Sequence, residues 1–225
     1  MNNQDTLKTS LIIVTYNWVE ALELLFLSLK KQTVKPFEVL ISDDGSTKET
    51  KDLIYKYRPQ FNFPIIHVWH KDDGFRKTVI LNKTIAKCKG DYIIQIDGDC
   101  IMNEHFIEDH IYARKEKCFI HGSRVLLNKE VSKKVLNEKI IEFSPIVFKS
   151  RNKFNALRSK FLAKFYLTEN ESLKSTRGCN FSFWKDDMLA INGYNEGMTG
   201  WGLEDTELSA RLINLGCNII LLMKR

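Results

Sequence analysis

The chain has 225 residues, 44% hydrophobic and 28% charged, a balance that excludes collagen-like, disordered and disulfide-scaffold classes and suits one globular unit with a sizeable core. Lys and Arg exceed Asp and Glu by 34 to 28, a net charge of +6, which favours an anionic partner without choosing its kind. Five cysteines, an odd number with no C-x-x-C spacing, indicate neither a disulfide framework nor a thiolate zinc site. No run approaches the roughly 20 apolar residues of a membrane span, and the polar start MNNQDTLKTS lacks a signal-peptide layout, so a cytoplasmic location is expected.

In chain order, Leu11 to Tyr16 is a β-branched run of the kind buried on both faces of a parallel sheet. Asn17 with Glu20 predicts a capping box that opens a helix over Trp18 to Gln32. A second strand, Phe37 to Ile41, stops at Ser42-Asp43-Asp44-Gly45-Ser46, and Ser46 with Glu49 predicts another box and a helix to about Tyr57. Pro64 to Trp69 is a third strand; Thr78 to Lys89 is helical with Gly90 as its C′ residue; Tyr92 to Asp97 is a fourth strand. This alternation predicts an α/β fold with a mostly parallel, doubly wound sheet, whose ligands lie beyond the strand C-termini. The tips Thr15-Tyr16-Asn17, Asp43-Asp44 and Asp97-Gly98-Asp99 then share one rim.

The second half is less regular. Helices are expected near Glu104 to Lys117, Lys185 to Ile191 and Leu203 to Leu215, the last closed by Gly216. Strands are expected near Phe119 to Leu126, Gly178 to Trp184 and Asn218 to Leu222. No linker divides the chain, so residues 1–225 form one domain, with 1–100 as the ligand-binding half and 101–225 as the other. Residues 148–165 carry Phe154, Leu157, Phe161 and Phe165 on one helical stripe with six Lys/Arg elsewhere. An insert packing that stripe on the core is favoured over docking to an anionic membrane.

Four clusters could carry chemistry. Asp97 and Asp99, spaced i, i+2 around Gly98, put two carboxylates on the same side of extended backbone and suit a hard cation, Mg²⁺ or Mn²⁺, bridging a nucleotide diphosphate; solvated turn formers are the plain alternative. Asp43 and Asp44 are turn residues in one reading; in the other they accept hydrogen bonds from a uracil and a ribose hydroxyl. Arg76 and Lys77 oppose the macrodipole at a helix start, a conflict that a diphosphate would relieve, and Arg76 is the better candidate. In Gly200-Trp201-Gly202-Leu203-Glu204-Asp205-Thr206-Glu207, Glu207 pairs with Arg211 structurally. Glu204 and Asp205 point about 100° apart, and Trp201 offers a face on which a sugar could stack.

Together VTYN at 14–17, SDDGS at 42–46, GFRKTVILN at 74–82, YIIQIDGDC at 92–100, RGCNFSFWKDD at 177–187 and GWGLEDTEL at 200–208 resemble family 2 glycosyltransferases of the GT-A fold. The last block is also similar to the acceptor-side motif of β-1,4-galactosyltransferases and chondroitin-polymerase-type enzymes. The resemblance implies a single Rossmann-like GT-A domain and an inverting transferase using a UDP-sugar with Mn²⁺ or Mg²⁺. A hexose or N-acetylhexosamine would pass to a saccharide or lipid-linked acceptor in cell-surface polysaccharide synthesis. It implies that Thr15, Tyr16, Asn17, Asp43, Asp44 and Arg76 bind the nucleotide, with Asp97, Gly98 and Asp99 as the D-x-D. Asn180, Trp201, Gly202 and Glu204 would face the donor or acceptor sugar, and Asp205 would be the base. Relatives carry a metal-binding His beyond the last strand, whereas this chain ends at Arg225, and His67, His70, His105, His110 and His121 are expected to be structural. Peripheral contact with the inner membrane face through 148–165 is a further expectation; nucleic-acid binding is not expected, since only charge suggests it. A non-catalytic nucleotide-sugar-binding or partner subunit is the alternative. Nucleotidyl transfer is disfavoured because VTYNWVE stands where a Gly-rich basic loop would be needed.

Overall fold

A computed structural model describes residues 7–143, 168–169 and 177–222. The basic stripe at 148–165 lies outside the described residues. One eight-stranded sheet organises the molecule, in the order β3-β2-β1-β4-β7-β5-β8-β6. Its strands are β1 (Thr9–Thr15), β2 (Glu38–Asp43), β3 (Ile65–Trp69), β4 (Tyr92–Asp97), β5 (Cys118–Gly122), β6 (Thr168–Glu169), β7 (Asn180–Trp184) and β8 (Asn218–Leu222). Seven α-helices flank it among the described residues: α1 (Val19–Lys31), α2 (Lys48–Tyr57), α3 (Lys77–Lys87), α4 (Phe106–Ala113), α5 (Lys129–Glu138), α6 (Lys185–Ala190) and α7 (Glu204–Asn214).

The expected parallel, doubly wound half is present: β1 pairs in parallel with β2 and β4, and β2 with β3. The chain runs outward from β1 through β2 to β3 and then returns to the other side of β1 as β4. This reversal opens a crevice beyond the C-termini of β1 and β4, where ligands of such sheets bind. Antiparallel β7 joins β4 to β5, so the second half continues the same sheet.

Both faces of the sheet are covered, which explains why the early strands are apolar at nearly every position. On one face Leu11 and Ile13 pack with Leu22, Leu25, Phe26 and Leu29 of α1. On the other, Ile12 and Val14 join Ile80, Leu81 and Ile85 of α3 and Leu208 and Leu212 of α7. Among the described residues no helix is long and apolar enough to cross a membrane.

Several local expectations are corrected. Asn17 does not cap α1; Trp18 holds that position without a side-chain cap. Asn17 instead has φ +48 and accepts a hydrogen bond from the Thr47 N–H, tying the β1 tip to the start of α2. Ser46 likewise accepts from the Asn17 N–H, and Thr47 is the N-cap of α2. Gly90 is not the C′ residue of α3, which ends at Lys87; a Cβ there would lie 2.6 Å from the Ser10 backbone nitrogen, so close strand approach explains the glycine. The predicted strand to Leu126 stops at Gly122, and α5, capped by the Asn128 side chain, was not expected. Gly216 does close α7, with φ +93 and the Cys217 N–H donating back to Leu212.

A buried polar chain crosses the sheet beneath the rim. The Tyr92 hydroxyl lies 2.6 Å from Ser182 Oγ, Ser182 Oγ 2.7 Å from His110 Nδ1, and His110 Nε2 2.8 Å from Asn180 Oδ1. The Asn180 amide in turn donates to the Ser123 carbonyl at 2.9 Å. That last bond orients the amide, so His110 donates from Nε2 and accepts from Ser182 at Nδ1, which requires a neutral ring. Burial pulls its pKa down to about 4, against an opposing contribution from Asn180. The unfolded chain takes up this proton near pH 6.5 and the folded chain only near 4, so stability is lost as pH falls through that window. Urea unfolding at pH 7 and pH 5 should show a loss of about 2 kcal/mol that His110→Gln lacks; equal pH dependence in the two proteins would contradict this.

Candidate active site

The rim begins at β1, where the buried Thr15 accepts the Asp44 N–H at its carbonyl, 3.1 Å away. Tyr16 follows with its ring 52% exposed and its hydroxyl donating to Asp72 Oδ2, an interaction that pushes the phenol pKa up. The two aspartates at the end of β2 have different partners. Asp43 is fully buried, one oxygen accepting the Ser46 N–H and the other 2.7 Å from His67 Nε2. Asp44 has Oδ1 2.8 Å from His70 Nε2 and Oδ2 accepting the Arg76 N–H. Burial pushes its pKa up, while His70 and the Arg76 amide oppose the shift. His67 and His70 are thus structural, as expected, but their task is to fix the two rim carboxylates. Gly45, at φ +98 and with a Cβ position 2.5 Å from Asp72 Cα, lets the turn pass under the 72–74 loop.

Arg76 and Lys77 take different partners. The Arg76 guanidinium pairs with Asp73, Nε at 3.1 Å, and it is the Arg76 backbone amide that reaches Asp44. Lys77, the first residue of α3, has a side chain only 12% exposed with Nζ 3.5 Å from Asp97 Oδ1 and 3.6 Å from Glu204 Oε1.

The D-x-D geometry also differs from the extended form expected. β4 ends at Asp97, and a turn closed by the Cys100 N–H on the Asp97 carbonyl carries Asp99. The two carboxylates remain close: burial first, then Asp97, pushes the Asp99 pKa up. Gly98 does not reserve space for a ligand. Its N–H donates to the Val14 carbonyl at 2.6 Å, and an added Cβ would stand 2.9 Å from that same oxygen.

Across the crevice, α7 starts from Leu203 in left-handed conformation, φ +64, which aims its first turn at Lys77. Glu204 is 3% exposed. Asp205 Oδ2 accepts the Gly178 N–H at 2.6 Å, and Gly178 is held by Gln95, which Tyr194 holds in turn. Asp205 Oδ1 and Glu204 Oε2 are buried with no hydrogen-bond partner among the described residues. Orphaned buried oxygens cost stability unless a water or a ligand supplies the missing donor. Burial pushes the Asp205 pKa up, Lys77 and the Gly178 amide oppose this, and Glu204 and Asp97 add to it. Glu207 and Arg211 form the expected structural pair, with Arg211 also donating to the Ile191 and Gly193 carbonyls.

Trp201 stands 85% exposed between Gly200 and Gly202, the latter at φ +103 with nothing near its Cβ position. Asn180 sits lower, its amide engaged by His110 and Ser123. Lys77, Asp97, Glu204 and Asp205 thus converge, with Asp99 beside Asp97, while Asp44 is held one step away by His70 and the Arg76 amide. Gln95, Gly178 and Tyr194, which brace Asp205, were not among the candidate residues, and Lys77 was the lesser candidate of its pair.

Three comparisons bear on this site. Residues 10–176 match the family described as glycosyl transferase family 2, and residues 161–225 match one described as the N-terminal domain of galactosyltransferase. The chondroitin synthase of Escherichia coli is 23% identical over 92% of this chain, which spans only 32% of that protein. Staphylococcus aureus TarS in complex with UDP superposes at a TM-score of 0.67, with 17% identity, over 97% of this chain and 58% of that one. The mannosyltransferase PcManGT from Pyrobaculum calidifontis, in complex with GDP-Man and Mn²⁺, superposes at 0.63, with 14% identity, over 96% and 57%. With the GT-A architecture in place and a family match covering most of its length, the chain belongs to glycosyl transferase family 2.

Proposed function

We propose that this chain transfers a hexose or N-acetylhexosamine from a UDP-sugar, with inversion, to a saccharide or lipid-linked acceptor in cell-surface polysaccharide synthesis. The observation that carries this reading is the buried, unpartnered Asp205 Oδ1, set across a crevice from the Asp97–Asp99 turn. Support comes from the chondroitin synthase relative, named for a polysaccharide product, and from the UDP complex of TarS.

Asp97 and Asp99 offer hard carboxylate oxygens, donors that fit Mn²⁺ or Mg²⁺. When bound there, the ion would act as a Lewis acid toward the leaving diphosphate. On the nucleoside side, Tyr16 presents an exposed ring, and Asp44 presents a carboxylate whose orientation His70 and the Arg76 amide fix. On the other side, the acceptor hydroxyl gives its proton to Asp205 Oδ1 while the Gly178 N–H holds Oδ2. Its raised pKa makes Asp205 a stronger base than an exposed carboxylate. Attack from that side displaces the diphosphate from the opposite face of the ring and inverts the anomeric carbon. Glu204 Oε2 accepts from a sugar hydroxyl, and Trp201 covers the sugar's apolar face.

In a radiolabelled transfer assay, Asp205→Asn should lose at least about 100-fold in turnover while still binding UDP. Undiminished turnover would remove Asp205 from this role, and transfer or donor hydrolysis absent from the wild type as well would favour a non-catalytic subunit. The same variant should unfold at a higher temperature than wild type at neutral pH. The folded state raises the Asp205 pKa, so its ionisation costs stability above the ordinary carboxylate range, and the advantage of Asn should fade as pH falls through that range. Trp201→Ala should raise the acceptor KM roughly tenfold with little change in thermal stability, because an exposed ring that supports no core can be lost only at the expense of a ligand.

A further inference from the structure

Lys77 occupies an electrostatically awkward position. It opens α3, where the macrodipole disfavours a cation, and its side chain is only 12% exposed. Burial works against the ammonium, yet Asp97, Asp205 and Glu204 outweigh it and hold the group protonated. Its nitrogen stands 3.5 Å from Asp97 and 3.6 Å from Glu204, longer than optimal charged hydrogen bonds, so it is shared between them. Lys77 meets three carboxylates, and Asp99 beside Asp97 adds a fourth with Arg124 nearby, so the group keeps a net negative charge that favours a cation. That cation must nevertheless approach Asp97 against an ammonium already beside it.

We propose that Lys77 is a built-in competitor for the metal at Asp97, so that divalent-cation uptake depends on the donor's diphosphate. The inference rests on the glycosyl-transfer reading and gives Lys77 a positioning role exerted through Asp97. Without donor, the ammonium neutralises Asp97 and weakens its hold on a free ion. With donor, the diphosphate supplies both an anionic partner for Lys77 and the further oxygens that Mg²⁺ and Mn²⁺ ordinarily take from substrate phosphates. Binding of metal and nucleotide is then mutually tightening, and by linkage the factor is the same in both directions.

The test is calorimetric titration of MnCl₂ alone, and then at saturating UDP, into wild type, Lys77→Met and Lys77→Arg. Lys77→Met should bind Mn²⁺ alone about tenfold more tightly than wild type, a gain of about 1.4 kcal/mol. UDP should tighten Mn²⁺ binding by a smaller factor in Lys77→Met than in wild type, and Lys77→Arg, which keeps the charge, should follow wild type. A lysine that merely supported the fold would not strengthen metal binding when removed. If Lys77→Met does not fold, Lys77→Gln, which keeps a polar end without the charge, undergoes the same titration. Equal or weaker Mn²⁺ binding in the neutral variant overturns the competitor role while leaving glycosyl transfer intact, provided that UDP still tightens the metal in wild type. Absence of Mn²⁺ binding in every protein, with and without UDP, overturns both.

Discussion

A single buried ammonium facing three carboxylates joins the two halves of this molecule. Lys77 comes from the start of α3, Asp97 from the tip of β4, and Glu204 with Asp205 from the first turn of α7. Like charges on separate elements would drive those elements apart, and the shared cation lets them converge. The fold supports the convergence from below. Gln95 of β4 bonds to Tyr194 and to the Gly178 carbonyl, and the Gly178 amide grips Asp205, so Asp205 is braced against the strand that ends in Asp97. Glu204 Oε2 and Asp205 Oδ1 are left without hydrogen-bond partners among the described residues, which costs stability.

The parallel half was legible because strands buried on both faces must be apolar at consecutive positions, and LIIVT and YIIQI have that character. The shared rim followed from topology alone. Caps were less legible. Asn17, Ser46 and Gly90 have the composition of helix ends, but each answers to a neighbour distant in sequence: Asn17 to Thr47, Ser46 to Asn17, Gly90 to Ser10. Local pattern cannot anticipate such tertiary claims on a polar or small side chain. The antiparallel direction of β7 was hidden for a related reason, since alternation reveals a strand and not its polarity.

Within the site, the acidic residues stood out because clustered carboxylates are conspicuous, yet their division of labour was not visible. SDDGS gives no sign that His67 fixes Asp43 while His70 fixes Asp44. Nor does GFRK reveal that the helix start sends Arg76 toward Asp73 and Lys77 into the interior. The residues that arrange the chemistry are those whose partners lie far along the chain.

The most direct test of the account is the placement of the donor. A crystal structure of the protein with UDP and Mn²⁺ should show the ion on Asp97 and Asp99, the uracil beside Tyr16 and Asp44, and Asp205 Oδ1 open toward the diphosphate across the crevice. A nucleotide bound away from the β1–β4 crevice, or an ion held by other side chains with Asp97 still on Lys77, would contradict it.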